Sequence, residues 1–422
     1  MSTGSHRRAA RSSEPEGSQR PGFLTRLRGL VERPVPPALP PRDGRSAATA
    51  EPSPAFLLLA ATSATLVVLG LVMAFSASFV RSTGETGDAF GLFLKQLLIC
   101  VVGLAPMVVL ALTDYRHLRR FAVPVLAGAL ALSALVLIPG IGQESHGARR
   151  WFDVAGVSLQ PSELLKVALP LGLSHLAASR WTRIRRGDLR ALLMPAVPLL
   201  SLAGALVIAG PDLETALLVA AIGAVVLYVA GLPGRIMAAV LGAGFLVGVL
   251  GIVTSGMRRA RILAWLDPAA DAANTGYQTL QGFIALGSGG VFGVGLGASR
   301  AKWGYVPNAD TDYIFAIIGE ELGLVGSLTV LALFVGLAVG GTVAARRAPD
   351  PFGRLLATAI TAWLLLQAGI NIGSVVGLLP VTGVTLPLVS YGGSSLLFTM
   401  VGVGILLSIA RAGRPAGAQE SS

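Results

Sequence analysis

Runs of apolar residues, each close to the length of a membrane-crossing helix, recur along most of this chain. A helix needs roughly 20 apolar residues to cross the hydrocarbon core of a bilayer. Of the 422 residues, 53% are hydrophobic and 13% are charged. The sequence therefore predicts an all-α polytopic membrane protein with about ten transmembrane helices, at residues 55–80, 93–112, 121–138, 162–178, 191–209, 213–231, 235–254, 312–344, 355–376 and 394–410. The fourth run is short and more polar than the others.

The first 54 residues are rich in Arg, Pro, Ser and Gly and contain few large apolar side chains. Such a segment cannot bury enough apolar surface to fold, so we predict a disordered basic tail over 1–54, a membrane domain over 55–411 and a short tail over 412–422. Arginines are concentrated in the tail and in loops near Tyr115, Trp181 and Pro349, which by the positive-inside rule places both termini in the cytoplasm. The arginines of the tail are scattered among acids and prolines, so nucleic-acid binding is not expected.

Two longer loops face outward in this topology, at residues 139–161 and at residues 255–311 between the seventh and eighth spans. Ten basic residues lie on or near this outer side, against the positive-inside rule, and they include all three lysines of the chain. They are Arg81, Lys95, Arg149, Arg150, Lys166, Arg258, Arg259, Arg261, Arg300 and Lys302. Because Lys is a compact point charge that Arg does not replace geometrically, these positions indicate specific contacts.

A stretch punctuated by Gly and Pro separates the last two apolar runs. It contains Asn371, Gly377, Pro380, Gly383 and Pro387, followed by Ser390, Tyr391, Gly392, Gly393 and Ser394. Irregular backbone at a membrane boundary persists only where protein or a watery cavity satisfies its polar groups, which predicts a functional cavity here. The pattern resembles the signature of the FtsW/RodA/SpoVE (SEDS) family, polytopic bacterial enzymes of cell-wall assembly.

Further motifs extend this resemblance from about Phe56 to Arg411, in the expected order. The segments Gly70–Ser78 and Ile317–Gly323, together with the long N-terminal tail, look more like the division branch, FtsW, than the elongation branch, RodA. The resemblance implies a SEDS-type fold with a large extracytoplasmic loop between helices 7 and 8.

The first outer loop carries two motifs similar to those of the family. Arg149 and Arg150 could clamp a diphosphate through charge-assisted hydrogen bonds, and Trp151 could pack on a lipid chain or a sugar face. The alternative is an interfacial aromatic residue with snorkelling arginines. The second motif supplies the candidate substrate-binding residues Gln160, Ser162, Glu163 and Lys166. A first-turn acid with an ion pair along one helix face explains that spacing as well.

Two further positions extend the candidate site around the later spans. Asp212 lies in a segment similar to a family Pro-Asp-x-Gly-Thr turn, although this chain has Glu214 where the family usually has Gly. Asp212 could equally cap a helix. Lys302 follows a glycine-dense stretch in the second loop, where it could contact phosphate.

The strongest catalytic signal is Asp312, which matches the proposed catalytic carboxylate of the family; its alternative role is a helix cap. Asp310 stands where the family commonly has His. Two carboxylates two residues apart could attract a divalent cation, Mg²⁺ or Mn²⁺, while no organic cofactor is expected. The helix that follows Ser390–Ser394 could donate backbone N–H groups to phosphate, or that stretch could be a simple helix-entry turn.

The resemblance implies polymerisation of lipid II into a nascent glycan strand at the division septum of the bacterial plasma membrane. Its implied partners are a class B penicillin-binding protein, which is a transpeptidase, other divisome proteins and membrane lipid. Asp312 would then be the general base, with Arg149, Arg150 and Lys302 stabilising the leaving diphosphate. Two alternatives stay open: a transporter of the lipid-linked precursor, and a catalytically weakened scaffold of the division machinery.

Overall fold

The computed structural model describes residues 53–413, apart from residues 89, 146–147, 155–156 and 308. The predicted disordered tail, up to residue 52, and the C-terminal tail from residue 414 lie outside the described residues.

Helices make up most of the described chain. They are α1 (Pro54–Thr86), α2 (Gly91–Leu112), α3 (Leu118–Leu135), α4 (Pro161–Ser179), α5 (Trp181–Arg185), α6 (Arg190–Ala209), α7 (Leu213–Ala230), α8 (Gly234–Val253), α9 (Gly256–Leu266), α10 (Tyr277–Ser288), α11 (Ile314–Arg347), α12 (Pro351–Val375) and α13 (Gly393–Ala412). Short 3-10 turns lie at Tyr115–His117, Pro268–Asp271 and Ala301–Trp303.

Nine of the helices in the described part of the chain are long and apolar enough to cross a membrane, which confirms the polytopic fold. The fourth predicted span is α4, a helix of 19 residues that is more polar than those nine. It is buried over most of its length and packs against α3, α6, α7, α12 and α13. Because protein surrounds α4, its polar side chains do not have to face lipid.

The segments at one end of the bundle are more structured than plain loops. Residues 143–159 form a small antiparallel sheet in the order β1 (Gln143–Ser145), β2 (Ala148–Val154) and β3 (Val157–Leu159), which the sequence did not predict. The long segment from residue 255 to 311 contains α9 and α10. We call this end of the bundle, with the sheet and residues 255–311, the loop face.

The Gly- and Pro-punctuated segment is irregular from Pro380 to Gly392 and largely buried. Leu386, Leu388 and Val389 are each at most 3% exposed. Helix α1 approaches this segment closely at Gly70, where a Cβ atom would lie 2.6 Å from the carbonyl oxygen of Leu388. The segment therefore packs into the protein, as irregular backbone within a membrane protein must.

Helix α11 is broken at Gly323, whose φ of 68° lies in the left-handed region. The glycine-dense loop after α10 satisfies the interrupted hydrogen bonds. The amides of Val294 and Gly295 donate to the carbonyls of Glu320 and Glu321, at 2.9 and 3.1 Å. On the other side of the break, the amides of Leu324 and Val325 donate to the carbonyls of Gly290 and Val291, at 2.9 and 3.1 Å.

Gly70→Ala should destabilise the fold, because the new methyl group would collide with the backbone at Leu388 and Val389. The expected loss is about 1–3 kcal/mol of unfolding free energy. Gly128→Ala, in α3, is the matched control, since a Cβ atom there meets nothing within 4 Å. The control should stabilise by about 0.5–1 kcal/mol, because Ala favours a helix over Gly. Thermal unfolding of both purified variants in detergent checks this, and equal midpoints would contradict the packing described.

Candidate functional site

Asp312 lies on the loop face, in the turn immediately before α11. The helix begins at Ile314 rather than at the predicted residue 312, and its N-cap position belongs to Tyr313. Asp312 therefore does not fill the helix-capping role that the sequence left open. Its side chain is nonetheless largely buried, at 8% exposure for the residue.

Asn371, a fully buried residue of α12, fixes the backbone beside this carboxylate. Its Nδ2 atom donates to the carbonyl of Asp312 at 2.7 Å and to the carbonyl of Val384 at 2.7 Å. One side-chain amide thus joins the turn before α11 to the irregular segment. The segment also approaches the carboxylate directly, because a Cβ atom built on Gly383 would lie 3.9 Å from Oδ2 of Asp312.

The surroundings of the Asp312 carboxylate favour its protonated form. Burial raises the pKa of Asp312 from 3.8 to about 6, and the negative charge of Asp310 acts in the same direction. A hydrogen bond from the Thr311 hydroxyl, at 3.2 Å, and the positive charge of Arg261 oppose this rise. A carboxylate with a pKa near the working pH is suited to accept a proton.

Other buried side chains hold the rest of the irregular segment. Gln367 donates to the carbonyl of Thr385 at 3.0 Å, and the amide of Leu386 donates to the hydroxyl of Ser390 at 2.8 Å. Gln96, from α2, donates to the carbonyl of Ser390 and accepts from the amide of Gly392, both at 3.4 Å. The amide of Tyr391 donates to the carbonyl of Asp310 at 2.9 Å. The segment Ser390–Ser394 is therefore tied to the chain around Asp312.

Glu163 and Lys166 form a buried ion pair in the first turns of α4. The Lys166 ammonium lies 2.7 Å from the Glu163 carboxylate and 3.0 Å from Oε1 of Gln367. Gln367 also accepts a hydrogen bond from the indole of Trp363 at 2.7 Å. This network matches the ion-pair alternative drawn from the spacing. Direct contact of Glu163 or Lys166 with a substrate stays a prediction.

A small cleft that is open to solvent brings together several of the predicted binding residues. Arg149, Arg150, Ser162 and Asp212 line it. Arg150 pairs with the Asp212 carboxylate at 3.4 Å, and Gln160 donates to the same carboxylate at 3.1 Å. The cleft therefore has two guanidinium groups on its wall, and the acid that pairs with Arg150, Asp212, lines the cleft as well.

Asp212 also caps α7, because its Oδ1 atom accepts from the amide of Thr215 at 3.1 Å. Arg149 pairs with Glu144 across β1 and β2 at 3.1 Å, and its side chain is 39% exposed. Trp151, on β2, is half-buried. Both arginines can thus be reached from solvent on the loop face.

Ser394, in the first turn of α13, links this cleft to the irregular segment. Its hydroxyl accepts from the amide of Gln160 at 3.3 Å. Helix α13 begins at Gly393, and Tyr391, Gly392 and Gly393 are all half-buried rather than enclosed. The start of α13 thus lies between the cleft and the turn that carries Asp312.

Lys302 is engaged inside the protein rather than at the cleft. Its ammonium donates to the carbonyl of Gly297 at 2.5 Å and lies 3.4 Å from the Ser76 hydroxyl and 3.5 Å from the Glu321 carboxylate. Glu320 similarly accepts from the Ser299 hydroxyl at 2.5 Å. These contacts fasten the second loop to α11, and a phosphate contact of Lys302 stays a prediction.

Two features of the site were not among the candidate residues predicted from the sequence. The buried amides Gln96, Gln367 and Asn371 hold the irregular segment, and their signal was a carboxamide inside an otherwise apolar run. The second feature is an ion pair between Arg261 of α9 and Glu214 of α7, at 3.4 Å. Glu214 lies in the first turn of α7.

No cluster of three or more His, Cys, Asp or Glu side chains that could hold a metal ion occurs among the described residues. Asp310 and Asp312, both buried, are the pair from which a cation site was predicted. Two carboxylates alone leave most positions around a cation to water or a ligand. The metal stays a prediction.

Comparisons with known proteins agree with this architecture. The sequence family FtsW/RodA/SpoVE, described as "Cell cycle protein", matches residues 56–414. A Mycobacterium tuberculosis protein named "Probable peptidoglycan glycosyltransferase FtsW" is 44% identical over 403 residues, covering 95% of this chain and 76% of that protein. A solved chain described as "Structural coordination of polymerization and crosslinking by a peptidoglycan synthase complex" is 31% identical, with a TM-score of 0.67, covering 84% of this chain and 96% of that chain. The solved structure of Thermus thermophilus "Rod shape determining protein RodA" is 29% identical, with a TM-score of 0.61, and the match covers 85% of this chain and 97% of that chain.

Asn371→Ala should destabilise the protein by about 1–3 kcal/mol, because two buried carbonyls, on Asp312 and Val384, lose their donor. Gln278→Ala is the matched control, since Gln278 makes a single solvent-exposed hydrogen bond, to the carbonyl of Pro307. The control should change stability by less than about 0.5 kcal/mol. Thermal unfolding in detergent compares the two variants. Equal small losses would show that Asn371 is not needed to hold the segment.

Proposed function

This chain belongs to the FtsW/RodA/SpoVE family, and from that membership we propose that it is a peptidoglycan glycosyltransferase that polymerises lipid II during cell division. The 4-hydroxyl of a GlcNAc attacks the anomeric carbon of a MurNAc in the growing strand, and undecaprenyl diphosphate leaves with inversion of configuration. The observation that carries the proposal is a buried carboxylate of raised pKa, Asp312, on the same face as a cleft walled by two arginines.

Asp312 is the general base in this proposal. As the new glycosidic bond forms, the attacking hydroxyl loses its proton to the carboxylate. Burial makes the carboxylate a better acceptor than an exposed aspartate, because the charged form is disfavoured. Asn371 supports the role by holding the backbone of Asp312 and the neighbouring segment in one arrangement.

The leaving diphosphate needs charge neutralisation more than it needs a proton. Arg149 and Arg150 are the cations that the cleft offers, and their forked guanidinium groups suit phosphate oxygens. The amides in the first turn of α13 are further donors for phosphate in this proposal. Displacement of Arg150 from Asp212 by substrate would free the Asp212 carboxylate to bind a sugar hydroxyl.

A divalent cation, Mg²⁺ or Mn²⁺, is compatible with this site. Asp310 and Asp312 would hold it, and such a cation usually takes its remaining ligands from water and substrate phosphates. When bound, it supplies further neutralisation of the developing negative charge. The reaction needs no organic cofactor.

In the cell, the loop face is exoplasmic and both termini are cytoplasmic in this proposal, with the protein at the division septum. Its partner is a class B penicillin-binding protein, the transpeptidase that crosslinks the strands, within the division machinery. The similarity to a chain described as belonging to a peptidoglycan synthase complex supports a partner of this kind.

Asp312→Asn should lower the rate of lipid II polymerisation by about 10²–10⁴-fold, because the amide cannot accept the proton. Purified protein is incubated with labelled lipid II, with and without a transpeptidase and Mg²⁺, and glycan ladders are resolved on gels. Asp267→Asn, an exposed acid of the loop face, is the control and should keep its activity. Ladders that persist at the wild-type rate in Asp312→Asn would refute the general-base role. Ladders absent from the wild-type protein would favour a scaffold.

The polymerisation rate should rise with pH through about 6, because the base must be ionised and its pKa is raised to about 6. Below that value the rate should fall about tenfold per pH unit. The contribution of Asp312 to the free energy of unfolding should change with pH in the opposite direction. Since the folded pKa exceeds the ordinary value of 3.8, the favourable contribution of the protonated form is present at low pH and is lost as the pH rises through about 6. Initial rates measured across this range test it, and a flat profile would contradict the assignment.

A further inference from the structure

We infer that Arg354 binds the phosphate group of an anionic phospholipid at the end of the bundle opposite the loop face. This end is cytoplasmic in the proposed topology, so the lipid belongs to the cytoplasmic leaflet. Arg354 lies near the start of α12, and the whole length of α11 separates it from the turn that carries Asp312. The site therefore takes no part in the proposed reaction.

The Arg354 guanidinium lacks partners in the part of the chain that the structure describes. Its Nε and Nη1 atoms are both buried, and neither has a hydrogen-bond partner there. The residue as a whole is half-buried, so a ligand can reach the side chain from the surface. A cation that has lost part of its hydration shell without gaining a partner is costly. Arg354 therefore favours an anion supplied from outside the described residues.

The acid nearest to Arg354 along its own helix is engaged elsewhere. Asp350 precedes Arg354 by about one helical turn, the spacing at which an acid and a base on a helix pair. However, Oδ1 of Asp350 accepts from the amide of Gly353 at 3.0 Å, which caps α12. Its Oδ2 accepts from the hydroxyl of Tyr115 and lies 3.5 Å from Nε of Arg116. Asp350 thus joins the start of α12 to the turn before α3, and its two oxygens are already used.

The other acids at this end of the bundle have basic partners as well. Among the described residues they are Asp114 and Asp188, which pair with Arg116 and Arg183. No acid described at this end is therefore left for Arg354. Other arginines at this end follow from the positive-inside rule and by themselves indicate only topology. Arg354 differs from a solvated arginine because two of its nitrogens are enclosed without a partner.

Helix packing places Arg354 at the level of further positive charge. The contact of Lys166 Nζ with Oε1 of Gln367, at 3.0 Å, sets the register between α4 and α12, which run in opposite directions. Ser179, the last residue of α4, is as many residues beyond Lys166 as Arg354 is before Gln367. The end of α4 and Arg354 therefore lie at about the same level. Helix α5 follows α4 directly and carries two exposed arginines, so an anion at Arg354 would also lie in their field.

The depth of the site favours a lipid phosphate over a free anion. Helix α12 is long and apolar enough to cross a membrane, and Arg354 lies in its first turns. A cation at that boundary is at the level of the lipid headgroups, and basic pockets between helices on the cytoplasmic side bind anionic headgroups. A guanidinium suits phosphate oxygens because its N–H groups donate charge-assisted hydrogen bonds. Phosphatidylglycerol is the probe we choose, and inorganic phosphate represents the free anion.

Arg354→Gln should lower the affinity for one molecule of phosphatidylglycerol about tenfold, because a charge-assisted contact is lost. Purified full-length protein in detergent is titrated with the lipid, and bound molecules are counted by native mass spectrometry. Arg354→Lys keeps the charge without the forked guanidinium and should show a smaller loss. Arg346→Gln removes an exposed arginine at the same end and is the matched control. Its affinity should stay within about twofold of the wild type.

Two measurements on the wild-type protein complete the test. Phosphatidylglycerol should bind more tightly than phosphatidylcholine, which has no net charge, and an excess of inorganic phosphate should not displace it. A failure of either expectation would refute an anionic lipid as the ligand. Equal affinity in the wild type and Arg354→Gln would show that water alone serves the guanidinium. An equal loss from Arg346→Gln would show that only the net charge of this end matters. Thermal midpoints of the variants identify misfolding, which the wild-type measurements avoid.

Discussion

The site depends on hydrogen bonds from buried carboxamides to a stretch of backbone that has no regular structure. Between α12 and α13, residues 380–392 cannot satisfy their own amides and carbonyls as a helix does. Asn371 and Gln367 from α12, and Gln96 from α2, supply the missing partners. A carboxamide can both donate and accept without carrying a charge, so it can enter an apolar bundle at less cost than Lys or Asp. Because Asn371 bonds Asp312 and the segment at once, the same interaction that makes the irregular backbone tolerable also positions the proposed base.

Four cations of the loop face form ion pairs with acids among the described residues. Arg149 has Glu144, Arg150 has Asp212, Arg261 has Glu214 and Lys302 has Glu321. These pairs differ in burial, from the enclosed Lys302 and Glu321 to the accessible Arg149 and Glu144. The enclosed pairs hold segments together, because separating buried charges is costly. The accessible pairs are held weakly enough in water to be exchanged for a phosphate group. The loop face therefore combines buried ion pairs, which hold segments together, with exposed arginines that can exchange their acidic partner for a ligand.

The sequence was informative where the physical signal is local and less so where partners are distant along the chain. Apolar runs predicted the membrane helices, and even the polar fourth run is a helix, α4, whose burial by its neighbours explains its composition. The position of Asp312 next to α11 followed from its place before a long apolar run. By contrast, the short strands of residues 143–159 carry too few residues for a clear alternation of apolar and polar side chains. Lys302 has Ser76 and Glu321 as its partners. These residues are distant from Lys302 along the chain, and only the folded structure brings them together, so no local pattern reveals the contacts.

The break in α11 has a mechanical consequence. The residues before the break, from Ile314 to Glu321, are buried, and the carbonyls of Glu320 and Glu321 accept hydrogen bonds from the glycine-dense loop. Leu324, Leu328 and Val335, beyond the break, are each more than half exposed on the outside of the bundle. A continuous helix would transmit any tilt of its lipid-facing portion to its far end as a rigid lever. At Gly323 the hydrogen-bond ladder is interrupted, and the glycine-dense loop bonds the helix on both sides of the break. A tilt of the lipid-exposed part of α11 would therefore act on the loop as well as on the turns that follow Asp312.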